Sequence, residues 1–364
     1  MKQAIYVTQP SLAPLEEVVE ILKGVWDRNI LTNNGPVFLE LEKKLKEKLG
    51  LSNLAIVSNG TIAIQMAIKA LELKGEIITT PFTWLATVSA IKWENCVPVF
   101  CDINPETLNI DVQKLEEQIT PNTVAIMPVH VFGNPCDVLA IEAIAKKHNL
   151  KVIYDAAHAI GSTFNGETVL NWGDISATSL HATKMLNTGE GGACIAKDNE
   201  LLEKLRRIRF FGHNDAKDVV EDGLNAKLTE IHAALGLANL KYFDEILADR
   251  KSKYLLYKEI LSQSPRLSFQ LNQHGETNFS YFPVLFENEE VLFKVEKNLA
   301  KENIFPRRYF WPSVNTYSKI VPYSACPISE AVSSRILCLP HYKGLSVSNV
   351  ERIAGIVLAS VNED

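Results

Sequence analysis

The stretch Ser179–Lys184 reads Ser-Leu-His-Ala-Thr-Lys; it ends an apolar run and is followed by the turn-rich, glycine-containing run Asn187–Gly192. A lysine just beyond the end of a strand, with small polar residues before it and glycines after it, suits an amine that forms a Schiff base with a carbonyl compound. The stretch therefore predicts that Lys184 anchors pyridoxal phosphate. A lysine at a strand end is also commonly a solvated surface charge, so the rest of the chain must decide between the two interpretations.

Around this stretch, short apolar runs rich in Val, Ile and Thr alternate with longer amphipathic runs, a pattern typical of βαβ units around a mostly parallel sheet. Seven runs are predicted to be strands: Leu54–Val57, Ile77–Thr80, Val97–Asp102, Val124–Val129, Val152–Asp155, Ile175–Leu180 and Ala193–Ala196. The amphipathic runs predict helices at Pro14–Arg28, Val37–Leu49, Thr61–Leu73, Thr83–Trp93, Val112–Gln118, Asp137–His148, Asn199–Arg209 and Lys227–Ala248. The fold class is therefore predicted to be α/β, with a seven-stranded, mostly parallel sheet.

The C-terminal third has a different composition. A charged run follows Ala248 and leads to a second helix that ends near Leu261, and the composition changes around Ser262–Pro265. Beyond this point the patterns predict a strand at Asn278–Leu285 and helices at Glu289–Lys301 and Ser346–Leu358. We therefore predict a large domain over residues 1–248 and a smaller α+β domain over residues 249–364.

Composition excludes several classes of function. The 364 residues carry a formal charge of −6, with 46% apolar and 22% charged residues, so there is no basic footprint for nucleic acid. No apolar run is long enough to span a bilayer, and Met1–Tyr6 has no uninterrupted apolar region or cleavage signal, so no leader peptide is expected. The six cysteines form no CxxC pair and most lie in apolar runs, which predicts reduced core thiols. No metal site is predicted. A soluble, cytoplasmic protein whose partners are small molecules or copies of itself is expected.

Two further stretches fit a phosphorylated ring cofactor. At Val57–Thr61 a strand meets a helix through small residues, and the free amides of Gly60 and the Thr61 hydroxyl suit a phosphate group, although an ordinary turn capped by Thr61 would read the same. At Val152–His158 an apolar strand delivers Asp155 to its carboxyl end, where α/β folds bind ligands.

The chemistry of these side chains suggests roles in a cofactor site. The Asp155 carboxylate could pair with a protonated pyridine nitrogen, and His158 could reach the phenolic oxygen of the same ring. A capping aspartate and a core histidine are the alternatives. Trp84, at the start of a predicted helix, could stack on the ring, although aromatic residues at such positions more often belong to the core.

Several motifs in order resemble those of the DegT-type sugar-nucleotide aminotransferases, which are fold-type-I pyridoxal-phosphate enzymes. The motifs are Asn59–Thr61, Thr83-Trp84, Asp155–His158, Ser179–Lys184, Glu190–Gly192 and Asn225–Gly236. The resemblance extends from Leu31–Pro36 to Cys338–His341 and so covers essentially the whole chain.

The resemblance implies a role for each candidate residue. Lys184 is the catalytic lysine that binds the cofactor, and Asp155 is the partner of its ring nitrogen. Asn225 would reach the phosphate of the neighbouring subunit's cofactor, which implies a homodimer with shared active sites. The other residues implied to bind pyridoxal 5'-phosphate are Gly60, Thr61 and Ser179 at the phosphate, Trp84 at the ring face and His158 near the phenolic oxygen.

The resemblance also implies the reaction. L-Glutamate is the expected amino donor and a keto-sugar nucleotide the acceptor. The stretches Ile30–Pro36 and Met127–Asp137 favour dTDP-4-keto-6-deoxy-D-glucose, which would give dTDP-4-amino-4,6-dideoxy-D-glucose for surface polysaccharide such as O-antigen. Amination at C3 of a dTDP-3-keto-6-deoxyhexose is an alternative.

Two other functions on this fold are disfavoured. Related dehydratases carry histidine in place of the lysine, whereas Lys184 is present here. A non-enzymatic sugar-nucleotide-binding or regulatory protein is disfavoured by the intact set of lysine, aspartate and phosphate-binding residues.

The run Arg307–Pro312 combines two arginines with aromatic residues. Guanidinium groups suit diphosphates, so this run could contribute to a sugar-nucleotide site. A solvated basic loop whose aromatic side chains enter the core is an equal alternative. His213 and Asn214 are interpreted as part of a polar surface loop.

Overall fold

The computed structural model describes residues 4–362, so Met1–Gln3 of the N-terminal stretch lie outside the described residues. A central sheet contains the seven predicted strands, each within two residues of its predicted bounds. They are β2 (Leu54–Val57), β3 (Glu76–Thr79), β4 (Val97–Phe100), β5 (Thr123–Met127), β6 (Lys151–Asp155), β9 (Ile175–Ser179) and β10 (Gly192–Ala196). The remaining strands form two-stranded pairs: β1 (Ile5–Tyr6) with β12 (Ile304–Phe305), β7 (Thr163–Phe164) with β8 (Glu167–Thr168), and β11 (Phe282–Leu285) with β13 (Ile336–Leu339).

The central sheet has the order β2-β10-β9-β6-β5-β3-β4. Its strands are parallel except β10, which runs antiparallel to both β2 and β9. The prediction of a mostly parallel seven-stranded sheet is thus confirmed. Several of these strands are buried along their whole length, as expected for a sheet covered by helices on both faces.

The described helices cover both faces of the sheet and build the C-terminal part. They are α1 (Leu15–Arg28), α2 (Pro36–Leu49), α3 (Gly60–Ala70), α4 (Leu85–Trp93), α5 (Val112–Leu115), α6 (Val138–His148), α7 (Asn199–Arg209), α8 (Glu230–Leu240), α9 (Phe243–Leu261), α10 (Glu289–Lys301), α11 (Pro327–Arg335) and α12 (Val347–Asn362). One apolar cluster joins α2 and α8 to one face of the sheet, and another joins α3 and α7 to the other. No helix among residues 4–362 is long and apolar enough to cross a membrane.

The predicted single helix Lys227–Ala248 is wrong, because the chain forms α8 and α9 there instead. The segment before α8 is extended, since the carbonyl of Ala226 accepts from Ser58 N and its own N–H donates to Arg209 O. The side chain of Asn239 connects the end of α8 to two distant segments by hydrogen bonds. This buried side chain accepts from Ala13 N at 2.8 Å and donates to Asn187 O at 2.9 Å. Contacts with distant segments therefore decide where this helix starts and stops.

The predicted strand Asn278–Leu285 is also too long, because β11 begins only at Phe282. Phe279 has a positive φ of 55°, and the Asn278 side chain donates to the carbonyls of His158 and Ile160. These hydrogen bonds hold the backbone before Phe282 against the loop that follows β6, so this backbone does not pair with β13. The predicted domain boundary at residues 248 and 249 lies inside α9, which is continuous across it.

Candidate active site

A cavity of about 340 Å³ lies where the carboxyl ends of the parallel strands meet α3 and the C-terminal part. It brings together residues from motifs that are far apart in the chain. Seven of the eight predicted site residues line it: Gly60, Thr61, Trp84, Asp155, His158, Ser179 and Lys184. Asn225 does not.

The first corner of the cavity is the start of α3. Asn59 caps this helix by accepting from Ile62 N at 2.9 Å, and the amides of Gly60 and Thr61 have no acceptor within the helix. A Cβ at Gly60 would lie 3.0 Å from the Ser179 Cβ, so glycine allows the helix to approach the end of β9 closely. Free amides at a helix N-terminus together with two hydroxyl groups form a site that suits a phosphate group.

The second corner holds the buried carboxylate of Asp155, at the end of β6. One oxygen accepts from the Thr87 hydroxyl at 2.7 Å and the other from Ala157 N at 3.1 Å. Burial raises the pKa of this carboxyl, and these two hydrogen bonds oppose the rise. No lysine or arginine of the described residues forms a contact ion pair with it, although the nearby Lys184 also acts to lower its pKa. A protonated ring nitrogen of a ligand would supply a direct cationic partner.

Lys184 lies between these corners on a folded-back loop. Leu180 pairs with Gly191 and Thr188, and Ala182 N donates to Gly189 O at 2.8 Å. A Cβ at Gly191 would lie 2.1 Å from the Thr188 hydroxyl oxygen, so glycine is required for the loop to close. Burial lowers the pKa of the Lys184 amine to about 8, although the nearby Asp155 carboxylate opposes this. An appreciable fraction of the amine is therefore neutral near pH 8, as a nucleophile or base requires.

Tyr281 is a site residue that the sequence did not indicate. Its phenol oxygen lies 3.5 Å from Lys184 Nζ, and its ring lies 4.8 Å from the His158 ring. Burial raises its pKa, so the phenol keeps its proton. The preceding residue, Ser280, is held by Arg250, a buried arginine that donates to the Ser280 carbonyl at 2.8 Å. No local motif marks this position, because it follows from the turn before β11.

His158 is neutral, because burial lowers its pKa well below the usual range. Its Nδ1 accepts from Phe132 N at 3.3 Å, and its ring is stacked on Phe132. One side of the His158 ring is packed against Phe132, as expected for a core histidine, and the ring also lines the cavity, as expected for a cofactor-binding residue.

Trp84 lines the mouth of the cavity and is 53% exposed, so it does not belong to the core, which was the alternative to a place beside the ring. The run Arg307–Pro312 is divided between two environments. The Arg307 guanidinium lies over the rings of Trp84 and Tyr309 and lines the cavity. Arg308 points elsewhere: it binds Glu289 at 2.6 Å and lies over the ring of Trp311.

Asn225 is exposed and outside its own protomer's cavity, where its side chain accepts from Lys227 Nζ at 2.6 Å. His213 and Asn214 also lie outside the cavity, in the surface loop that the sequence indicated.

The donor set of the cavity fits pyridoxal phosphate. It offers a helix N-terminus for the phosphate, a buried carboxylate without a contact ion pair for the ring nitrogen, an amine of lowered pKa for the aldehyde carbon, and an exposed indole face for the ring. No cluster of three or more His, Cys, Asp or Glu side chains in the described part of the chain could hold a metal ion.

Comparisons with known proteins agree with this chemistry. The model of the DegT/DnrJ/EryC1/StrS aminotransferase family matches residues 14–358. A dTDP-4-amino-4,6-dideoxy-D-glucose transaminase of Shigella dysenteriae is 43% identical over 363 residues, which cover 98% of this chain and 99% of that protein. A protein of the same name from Escherichia coli is 39% identical over 99% of both chains.

Solved structures show the same fold. A structure of DesI in the presence of its TDP-sugar product superposes with a TM-score of 0.93 at 30% identity, covering 100% of this chain and 94% of that one. Helicobacter pylori PseC, an aminotransferase of pseudaminic acid biosynthesis, superposes with a TM-score of 0.90 at 27% identity over 99% of both chains.

Proposed function

The chain belongs to the DegT/DnrJ/EryC1/StrS aminotransferase family and is a pyridoxal-phosphate-dependent sugar-nucleotide aminotransferase, and on that premise we propose its substrates. It transfers the amino group of L-glutamate to C4 of dTDP-4-keto-6-deoxy-D-glucose and forms dTDP-4-amino-4,6-dideoxy-D-glucose. The observation that carries this choice is the 43% identity, over nearly the full length of both chains, to the Shigella dysenteriae transaminase of that name.

The candidate residues of the cavity divide the binding of the cofactor among them. Pyridoxal phosphate, when bound, supplies an aldehyde carbon that takes up the amino group and a ring that withdraws electrons from the bond being broken. The amides of Gly60 and Thr61 and the Ser179 hydroxyl would bind its phosphate. The Asp155 carboxylate would hold a proton on its ring nitrogen, Trp84 would pack against the ring, and His158 would lie near the ring oxygen.

Lys184 carries the proton transfer. Its amine, with a pKa of about 8, takes the proton from Cα of L-glutamate and later returns a proton to C4 of the sugar. The Tyr281 phenol lies within hydrogen-bond distance of the amine and orients it between these two positions. Tyr281, Tyr309 and Phe310 add aromatic surface to the lining of the same cavity.

We further propose that the enzyme is a homodimer in which Asn225 of one copy completes the site of the other. Two observations support this. Asn225 is exposed and lies outside its own cavity. In addition, α1 exposes Leu15, Val19 and Trp26, which share one helix face because they are spaced by four and seven residues. A stripe of exposed apolar residues is typical of a surface that is covered by a partner.

The substrate is tested by incubating the purified enzyme with L-glutamate and dTDP-4-keto-6-deoxy-D-glucose and locating nitrogen in the product by NMR. Nitrogen at C4 is expected, together with release of 2-oxoglutarate. The Lys184→Ala variant should form no product and should lose the visible absorbance of covalently bound cofactor. Amination only of a 3-keto isomer, or only of a GDP-linked sugar, would contradict the substrate assignment.

The shared site is tested by subunit complementation. Lys184→Ala and Asn225→Ala should each be strongly impaired as homodimers, whereas a mixed dimer contains one site with both native residues. Co-refolding equal amounts should restore about one quarter of the parent activity, since half of the dimers are mixed and each has one native site. Full activity of Asn225→Ala alone, or a monomer in light scattering at the assay concentration, would refute this proposal.

A further inference from the structure

We propose that Arg307 forms an anion-binding subsite at the mouth of the cavity, where its guanidinium binds the carboxylate or phosphate oxygens of a substrate. This inference rests on the proposed function, because it concerns the same cavity. The shared chemistry is a pair of anionic oxygens, which either the amino donor or the diphosphate of the sugar nucleotide could supply.

The position of Arg307 is well defined although its side chain is exposed. Its backbone N–H donates to Cys338 O at 3.1 Å and its carbonyl accepts from Cys338 N at 2.8 Å, which joins it to β13. The guanidinium carbon lies 5.6 Å from the ring centre of Trp84 and 4.8 Å from that of Tyr309. Two aromatic rings therefore hold the charged group at the entrance of the cavity.

No carboxylate of a described residue forms an ion pair with Arg307. A guanidinium stays protonated in proteins and carries five N–H donors, so the interaction of Arg307 with the Tyr309 hydroxyl leaves other donors for a ligand. The neighbouring Arg308 shows the opposite arrangement. It is paired with Glu289 at 2.6 Å and donates to the Ser334 carbonyl at 2.8 Å. Arg308 is therefore paired within the fold, whereas the Arg307 guanidinium is available to a ligand.

The charges of the cavity wall point to the same role. Lys184 is the amine that performs the chemistry, and its pKa of about 8 makes its charge variable. The His181 ring lies 3.7 Å from the carboxylate of Glu190, which also lines the cavity. Arg307 is thus the permanent cation among the described lining residues. Both proposed substrates are anions, and a bidentate pair with a guanidinium would orient either of them.

The test compares Arg307→Gln with Arg308→Gln in the cofactor-loaded enzyme. The first change removes the charge at the cavity, whereas the second removes the charge paired with Glu289 outside it. For each variant, KM is measured for L-glutamate and for the sugar nucleotide, and binding of glutarate and of dTDP is measured by calorimetry. Arg307→Lys, which keeps the charge without the fork, serves as a conservative variant.

We expect Arg307→Gln to raise one of the two KM values by about 10- to 100-fold, which is the typical loss of a charged hydrogen-bonded contact. Arg307→Lys should recover part of this loss, and Arg308→Gln should change neither KM by more than about twofold. Loss of glutarate binding alone would identify the amino donor as the ligand, and loss of dTDP binding alone would identify the diphosphate.

Unchanged binding of both probes and unchanged KM values in Arg307→Gln would overturn the inference, even if the parent enzyme aminates the proposed sugar. Conversely, if the parent enzyme aminates neither sugar but Arg307→Gln selectively loses one probe, the proposed substrate fails while the anion subsite stands. An equal loss of both probes with a fall in cofactor content would indicate general damage to the cavity and would also count against the inference.

Discussion

Replacing Lys184 with methionine should stabilise the cofactor-free protein, because the lysine that performs the chemistry destabilises the fold at neutral pH. Burial lowers the pKa of its amine from an ordinary value of 10.5 to about 8. Protonation of this amine therefore costs free energy in the folded protein that it does not cost in the unfolded chain. At about 1.4 kcal/mol per pH unit, the penalty is about 3 kcal/mol below pH 8.

The sign of the pH dependence follows from proton binding. Between pH 8 and 10.5 the unfolded chain binds more protons at this lysine than the folded chain does, so the stability of the parent protein rises with pH in that window. Methionine has a similar length, binds no proton and needs no hydrogen bond. The pKa of about 8 already includes the attraction between Lys184 and Asp155, so the expected gain of Lys184→Met is about 3 kcal/mol at pH 7.

The assay is urea unfolding of the cofactor-free parent and Lys184→Met at equal protein concentration, at pH 7 and pH 10.5. The variant should be more stable at pH 7, and the difference should largely disappear at pH 10.5. Lys146→Met is a matched control, since Lys146 is an exposed lysine near the end of α6 and should give no pH-dependent gain. A variant that is no more stable than the parent at pH 7, or whose gain is equal at both pH values, would refute the reasoning.

Three further changes test other contacts. Thr87→Val removes a hydrogen bond to the Asp155 carboxylate and should raise the pKa of that carboxyl further, so the acidic limb of the pH profile of kcat should move to higher pH. Thr83→Val is the control, because the Thr83 hydroxyl contacts Thr87 and not Asp155, and it should leave the profile unchanged. Tyr281→Phe should lower kcat by about 2- to 10-fold through loss of the hydrogen bond to Lys184, with little change in either KM; a rise in KM alone would contradict a positioning role. Glu230→Ala removes the buried carboxylate that accepts from Val37 N and Phe38 N at the start of α2, and should lower the free energy of unfolding by about 2 kcal/mol; an unchanged urea midpoint would argue against this cap.

The site residues that could be predicted share one property: in the sequence they lie at the end of a strand or a few residues after it. Lys184 and Asp155 come just after β9 and at the end of β6, and Gly60 comes just after β2, so the parallel sheet brings them to one edge. Their residue types then indicate the chemistry. Their roles toward the cofactor remain proposals, which the Lys184 and Thr87 variants address.

Other features could not be predicted from local sequence. Tyr281 enters the cavity only because Asn278 and Arg250 hold the segment before β11 in a turned conformation. The break between α8 and α9 depends on Asn239, whose partners are about 50 and 230 residues away. Such contacts leave no periodic signal, because each joins segments that are distant in the chain.

The alternation of strand-like and helix-like runs predicted an α/β fold with seven strands, and the stretch Ser179–Lys184 together with Asp155 and the Gly60–Thr61 turn predicted a lysine-based cofactor site. This is because hydrophobic periodicity and the identity of strand-end residues are local properties of the chain. The different surroundings of Arg307 and Arg308 were decided only by the tertiary structure. The two residues are adjacent and chemically identical, but one guanidinium faces Trp84 at the cavity and the other meets Glu289. Which of two like charges is left free for a ligand depends on what the fold places beside each, and no local pattern encodes that.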